Sequence, residues 1–314
     1  MPEIIPLTCG WASAKEAIKR GRGSGAARWL AIFKDHAWTP MMPIHVFAIR
    51  SDDGILLVDT GSLADVRDLP FVRFQMSPEE EVDRALAAVG IDRSDLSAIV
   101  MTHLHGDHMD GLARLPGVPV LVAEEELRAV ASPAARLQRR VFRTPLPHPF
   151  APTTLRFDGP PVGAFPRSSA LTADGSVLAV PAPGHTPGHT AILVDHGDHH
   201  TLLTGDAAYD LPQLLDVHPD GICPDPAVSR ATMERILEHA RMHPTVIAPS
   251  HDPETVRRLA EAEVARSRYE RLDDGPLDHA VAETERPRRL RRGPATAEPF
   301  RNAVRIRIEN ARQR

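Results

Sequence analysis

Thr102-His-Leu-His-Gly-Asp-His108 is the stretch on which the reading of this chain turns. Four metal-capable side chains, His103, His105, Asp107 and His108, fall within six positions, directly after the apolar run Ala98-Ile-Val-Met101. That run predicts a buried strand, so the cluster stands where a strand ends and a loop begins. Along an extended chain, positions two apart point the same way. His103 and His105 can therefore share one metal, while Asp107 and His108 turn to face a second. Imidazole and carboxylate ligands suit zinc and also iron, cobalt or manganese.

Working outward, the same arrangement recurs. Val177-Leu-Ala-Val180 predicts a strand leading into Pro183-Gly-His-Thr-Pro-Gly-His-Thr190, which carries His185. Strands over 201–203 and 245–248 lead to Asp206 and His251. Upstream, Ile44-His-Val-Phe-Ala-Ile49 and Ile55-Leu-Leu-Val58 read as a hairpin across an Asp-Gly turn, and the second runs into Asp59-Thr-Gly61. Each potential ligand thus follows a predicted strand, where loops converge on one edge of a sheet. Between the strands lie predicted helices. One starts at Ser77 with Pro78 and the capping-box partner Glu80, and stops at Gly90; others cover 124–131, 226–241 and 253–270. Strands early in each half, followed by helices, predict an α/β sandwich with helices outside two sheets. Residues 132–170 are rich in Pro and Arg and show no clear period.

With 314 residues, 42% of them hydrophobic, the chain can build one large core with appendages. The net charge of −5 supplies no global basic field for nucleic acid. Cys9 and Cys223 are the only cysteines and make no disulfide framework. No apolar run reaches the length of a signal peptide core or a membrane span, so the expectation is a cytoplasmic protein without a membrane partner.

The ordered set Leu57-Val-Asp-Thr-Gly61, His103-Leu-His-Gly-Asp-His108, Gly184-His-Thr-Pro-Gly-His189, Gly205-Asp206 and His251 resembles the metallo-β-lactamase superfamily of metal-dependent hydrolases, across about two thirds of the chain. The resemblance implies a four-layer αββα sandwich and two divalent metal ions, zinc foremost, with iron, cobalt or manganese accepted. It implies that His103, His105 and His185 hold one ion, that Asp107, His108 and His251 hold the other, and that Asp206 bridges them. Asp59 matches a carboxylate that orients a ligand histidine. His105 stands where the similar flavodiiron branch typically has a glutamate, which argues against electron transfer.

Tyr209, three residues after Asp206, resembles a tyrosine of the N-acyl homoserine lactonase (quorum-quenching) branch that hydrogen-bonds the substrate carbonyl or oxyanion. What this implies is a small-molecule lactone or ester substrate, opened by a metal-bridging hydroxide, with Tyr209 and Asp107 as catalytic groups. The alternative is a thioesterase or glyoxalase-II-like ester hydrolase, for which the arginines of 136–143 are the candidate basic pocket. Two departures from the lactonase branch stand out: Gly106 replaces a bulky aromatic, and Met109-Asp-Gly111 replaces a small-Gly-Gly ending. Trp29, Phe33 and Trp38 are the candidates for the missing apolar substrate wall.

Three regions follow: an N-terminal extension over 1–40 that can act as a lid, a hydrolase domain over 41–272, and an Arg- and Pro-rich, poorly ordered tail over 273–314. A homodimer is left open. Asp195-His-Gly-Asp-His-His200 reads as a hairpin turn rather than a metal cluster. His189 reads as support for the loop, and Cys223 as a small buried hydrophobe.

Overall fold

The computed structural model describes residues 1–148 and 150–265. A seven-stranded sheet comprises β1 (Glu3–Ala14), β2 (Met42–Ser51), β3 (Gly54–Val58), β4 (Val72–Gln75), β5 (Leu96–Val100), β6 (Val120–Ala123) and β7 (Thr153–Leu155), in the order β4-β1-β2-β3-β5-β6-β7. A five-stranded sheet comprises β8 (Ser169–Ala170), β9 (Val177–Pro181), β10 (Thr190–Asp195), β11 (His200–Gly205) and β12 (Thr245–Pro249), in the order β12-β11-β10-β9-β8. The helices are α1 (Glu16–Lys19), α2 (Ala26–Lys34), α3 (Val82–Ala88), α4 (Gly106–Met109), α5 (Glu124–Ala131), α6 (Pro133–Phe142), α7 (Leu211–Leu215), α8 (Pro226–Met242) and α9 (Thr255–Ala260).

Alternation along the strands builds the layers. In β2, Phe47 and Ile49 face the second sheet, where they meet Ile192, Val194 and Leu203 in the central core. Val46 and Ala48 face the other way, into a cluster closed by Val82 and Leu86 of α3. On the far side, Leu193 of β10 and Leu202 of β11 pack under Met233, Ile236 and Leu237 of α8. Helix, sheet, sheet and helix therefore stack in four layers, the αββα sandwich expected from the sequence.

Several expectations change. Residues 1–40 are not simply an appendage or lid: β1 lies inside the first sheet, hydrogen-bonded to β2 on one side and β4 on the other. Its alternation is broken at a register shift between Thr8 and Trp11, which hides the strand from a periodicity reading. The helix expected to start at Ser77 is split. The capping box forms, but Glu81 is extended and interrupts the helix before α3. Its buried carboxylate accepts hydrogen bonds from the Ala64 amide and Arg114, and those contacts outweigh helix continuity. The helix expected over 253–270 is, among the described residues, only α9. The unassigned stretch 132–170 contains α6, β7 and β8. The tail of 273–314 lies outside the described residues.

The strand ends are locked together. Thr60, just past β3, donates its amide and its hydroxyl to the His108 carbonyl, and the Gly111 amide donates to the Gly61 carbonyl. A Cβ on Gly111 would stand 2.1 Å from the Thr60 carbonyl oxygen. Gly111→Ala should therefore lower unfolding stability by about 1–3 kcal/mol, the usual cost of overpacking. Denaturant titration checks this, and an unchanged midpoint would contradict the close packing.

Candidate metal centre

The site begins with a backbone irregularity. Asp59 follows β3 with φ of 61°, a left-handed conformation uncommon for a residue with a Cβ. Its buried carboxylate accepts hydrogen bonds from the Thr102 amide at 2.7 Å and the Thr102 hydroxyl at 2.7 Å, and stands 2.8 Å from His108 Nδ1. The Thr102 hydroxyl is in turn 3.0 Å from His103 Nδ1. One carboxylate thus orients His108 directly and His103 through Thr102.

The other rings are held the same way. His185 Nδ1 lies 3.2 Å from Asp220 Oδ2, and His251 Nδ1 lies 2.8 Å from the Pro43 carbonyl. All four therefore turn Nε2 inward. His105 turns Nδ1 inward instead, 3.0 Å from His103 Nε2 and 2.9 Å from His185 Nε2. Opposite this trio stand His108, His251 and Asp107, with Asp107 Oδ2 3.9 Å and 3.6 Å from the two Nε2 atoms. Asp206 lies between. Its Oδ2 is 3.4 Å from His185 Nε2, and its Oδ1 is 3.3 Å from both His108 Nε2 and His251 Nε2. All seven ligand candidates read from the sequence are brought together, with Tyr209 against them.

The donor set fits metal cations. His108 Nε2 and Asp206 Oδ1 are buried, yet neither has a hydrogen-bond partner. Two ring nitrogens, His103 Nε2 and His185 Nε2, converge on His105 Nδ1, where protons alone cannot satisfy every lone pair. His103, His105 and His185 could hold one ion, Asp107, His108 and His251 another, and His103, His108 and Asp206 offer a third such grouping that joins the two.

The electrostatics differ across the site. Burial, reinforced by His108, His105 and His185, holds His103 well below the usual imidazole range, and burial with His185 pushes His105 down to about 4. These rings offer free lone pairs at neutral pH. Burial also opposes charge on His108, but Asp206, Asp59 and Asp107 outweigh it and hold His108 well above the usual range. Burial would raise the Asp206 pKa, but His251 and His108 outweigh it and hold the carboxyl well below the usual range. Burial, then Asp220, Asp206 and Asp107, push the Tyr209 phenol far up, so it stays protonated.

Other positions fall outside this set. His189 Nε2 accepts the Asp206 amide at 3.0 Å and so anchors that residue's backbone. The Asp195–His200 run is the β10–β11 turn, with His196 stacked on His199. Cys223 is buried, its thiol pushed up to about 12 by burial and by Asp220.

Two supports escaped the sequence reading. Asp220, besides holding His185, accepts the Ile222 and Cys223 amides; it is a lone acid in a loop with no local pattern to mark it. Glu126 of α5 is buried and accepts the amides of Leu104 and Gly188, tying the His103–His105 loop to the His185 loop. The signal for Glu126 was an acid on the apolar side of a helix, beside Leu127 and Val130.

Two outcomes follow from this geometry. Asp59→Asn places an amide where His108 needs an acceptor, and should weaken metal affinity about 10- to 100-fold in chelator competition while the fold persists by circular dichroism. Stripping metal with a chelator should lower the thermal midpoint, and adding zinc back should restore it. A midpoint indifferent to metal would argue against a cation-binding cluster.

Known proteins share this architecture. Residues 40–251 match the metallo-beta-lactamase superfamily. A probable metallo-hydrolase of Mycobacterium tuberculosis is 34% identical over 209 residues, covering 63% of this chain and 65% of that protein. The match thus spans just under two thirds of the length of that curated relative. An N-acyl homoserine lactonase of Bacillus thuringiensis is 26% identical over 230 residues, covering 68% of this chain and 82% of that protein. Among solved structures, an N-acyl homoserine lactone hydrolase with N-hexanoyl-L-homoserine bound at its catalytic metal center superposes with a TM-score of 0.63 at 20% identity, over 84% of this chain and 97% of that one. At that identity the likeness concerns the fold alone. With the match extending over most of the two-sheet core and through every strand end that carries a ligand candidate, the chain belongs to the metallo-β-lactamase superfamily.

Proposed function

We propose that this protein is a dinuclear metal-dependent hydrolase that opens a lactone ring, with N-acyl homoserine lactone as the leading substrate. The observation that carries the reading is the position of Tyr209. Its ring centroid lies 5.7 Å from that of His185 and 5.6 Å from that of His251, one histidine from each trio. A protonated phenol there can donate to a carbonyl oxygen poised between the trios without adding charge. When bound, the two divalent ions supply an activated water and polarise the ester carbonyl.

The chain's own residues do the rest. Tyr209 stabilises the oxyanion as the ring carbonyl becomes tetrahedral. Asp107, more exposed than Asp206, takes up the proton that the attacking water loses and passes it to the departing ring oxygen. Asp59, Asp220 and the Pro43 carbonyl keep the ring nitrogens aimed. An apolar wall continues from Tyr209 through Phe71 and Ile32, with Trp29, Phe142 and Ile222 packed against them. Aromatic contacts link Phe71 to Trp29, Phe33 and Phe142. This wall supports an acyl-bearing substrate, and it explains how a chain with 4% aromatic residues can still present one. Trp38 is not part of it, because Lys15 and Arg73 both lie over that ring. The lactonases among the relatives agree with this substrate class.

Tyr209→Phe should lower kcat about 100-fold, the cost of losing one oxyanion donor, with bound metal unchanged. A panel of lactones, esters and thioesters assayed on metal-loaded enzyme tests the substrate class. Lactone turnover no faster than buffer, beside rapid thioester cleavage, would move the assignment to a thioesterase.

A further inference from the structure

Helix α6 is built unlike the rest of the molecule. It has no fully buried residue. It is held by Phe142, whose ring meets Phe71 edge-on at 5.1 Å, and by Arg139, which donates to the Val130 carbonyl. At 3.6 residues per turn, Arg136 and Arg140 share one strip, Leu137 and Val141 form the strip beside it, and Phe142 lies on the opposite side; Arg143 follows as the left-handed C-cap. The apolar strip faces water: Leu137 is 63% exposed and Val141 64%. The arginines, with Pro145 and Leu146, line an open groove of about 590 Å³.

None of these arginines has an acidic partner among the described residues. The nearby acids Glu124 and Glu125 pair with Arg128, and Glu124 also with Arg156. Like charges one turn apart repel, so the strip is destabilising unless something anionic covers it. Helix α2 adds a second exposed apolar pair, Leu30 at 53% and Phe33 at 55%, and Phe33 meets the same Phe71 at 6.1 Å.

We propose that α6 docks the protein on an anionic lipid surface, with its arginines on headgroup phosphates and Leu137 and Val141 in the acyl boundary. A basic strip alongside an apolar one is the pattern of helices that lie in a bilayer interface. A free phosphate would engage the arginines but leave both aliphatic side chains in water. A second copy packed across a two-fold axis would bring cationic strip onto cationic strip. No described helix is long and apolar enough to cross a membrane, and lying on one asks for no such length. The net charge of −5 does not oppose such a face, because these basic residues are local and the acids are spread elsewhere.

The test is co-sedimentation of the full-length, metal-loaded protein with vesicles of phosphatidylcholine alone, or mixed with phosphatidylglycerol. Binding is expected only to the mixed vesicles and should be released by salt. Arg136→Gln with Arg140→Gln should weaken it about thirtyfold, roughly fivefold for each arginine. Leu137→Ser with Val141→Ser should weaken it as well. All four side chains are exposed, so the variants should keep the wild-type circular dichroism and bound metal. Failure to bind the mixed vesicles overturns the proposal. So does binding unchanged in both α6 variants, which would point to the arginines of 286–292. Full displacement by inorganic pyrophosphate, with the Leu137/Val141 variant binding normally, would mark a soluble-phosphate site instead. Self-association lost in the variants, without vesicle binding, would mark an interface between copies.

Discussion

The fold is arranged around one buried carboxylate. Asp206 stands with one oxygen 3.4 Å from His185 Nε2 and the other 3.3 Å from two further imidazole nitrogens, with almost no access to water. A charge so placed is costly unless neutralised. The neighbouring carboxylates of Asp59, Asp107 and Asp220 deepen the demand for positive charge. The surrounding scaffold serves mainly to bring rings and carboxylates close enough for that demand to be met by cations. The hydrogen bond from the Asp206 amide to His189 Nε2, the Glu126 clasp between two loops and the left-handed turn at Asp59 all act on where a donor atom points.

Much of this was legible in the amino-acid order. Candidate ligand side chains at the ends of strands lie in contiguous motifs, because a strand end delivers consecutive residues to one place. The run from His103 to His108, His185, Asp206 and His251 could be read for that reason. So could Asp59, whose place after an apolar strand matched its role. What could not be read depends on distance in sequence. Asp220 meets His185 across 35 positions, and the Pro43 carbonyl meets His251 across 208. Backbone carbonyls carry no side-chain signature at all. The strand β1 escaped for a different reason: its register shift mixes two alternations into one pattern. Glu81 shows tertiary contact overriding a well-formed helix start.

The apolar residues pack in two different ways. The central core between the sheets is aliphatic, with Phe47 its one fully buried aromatic side chain. The aromatic contacts cluster instead around Phe71, beside Tyr209, where α2 and α6 meet the site. Aliphatic packing sets the sheet spacing, and rings of defined shape gather beside the candidate metal centre.

Each trio takes residues from both sheets. His103 and His105 follow β5 in the first, while His185 follows β9 in the second; Asp107 and His108 come from the first, and His251 follows β12. Neither half of the chain can close a centre alone. During synthesis, the loop after β5 leaves the ribosome some 150 residues before His251, at roughly ten to thirty seconds of elongation. Over that interval the early histidines form an open, weak ligand set. A complete ligand trio exists only once strands of the second sheet have been made and docked, so the order of the strands along the gene sets the order of assembly.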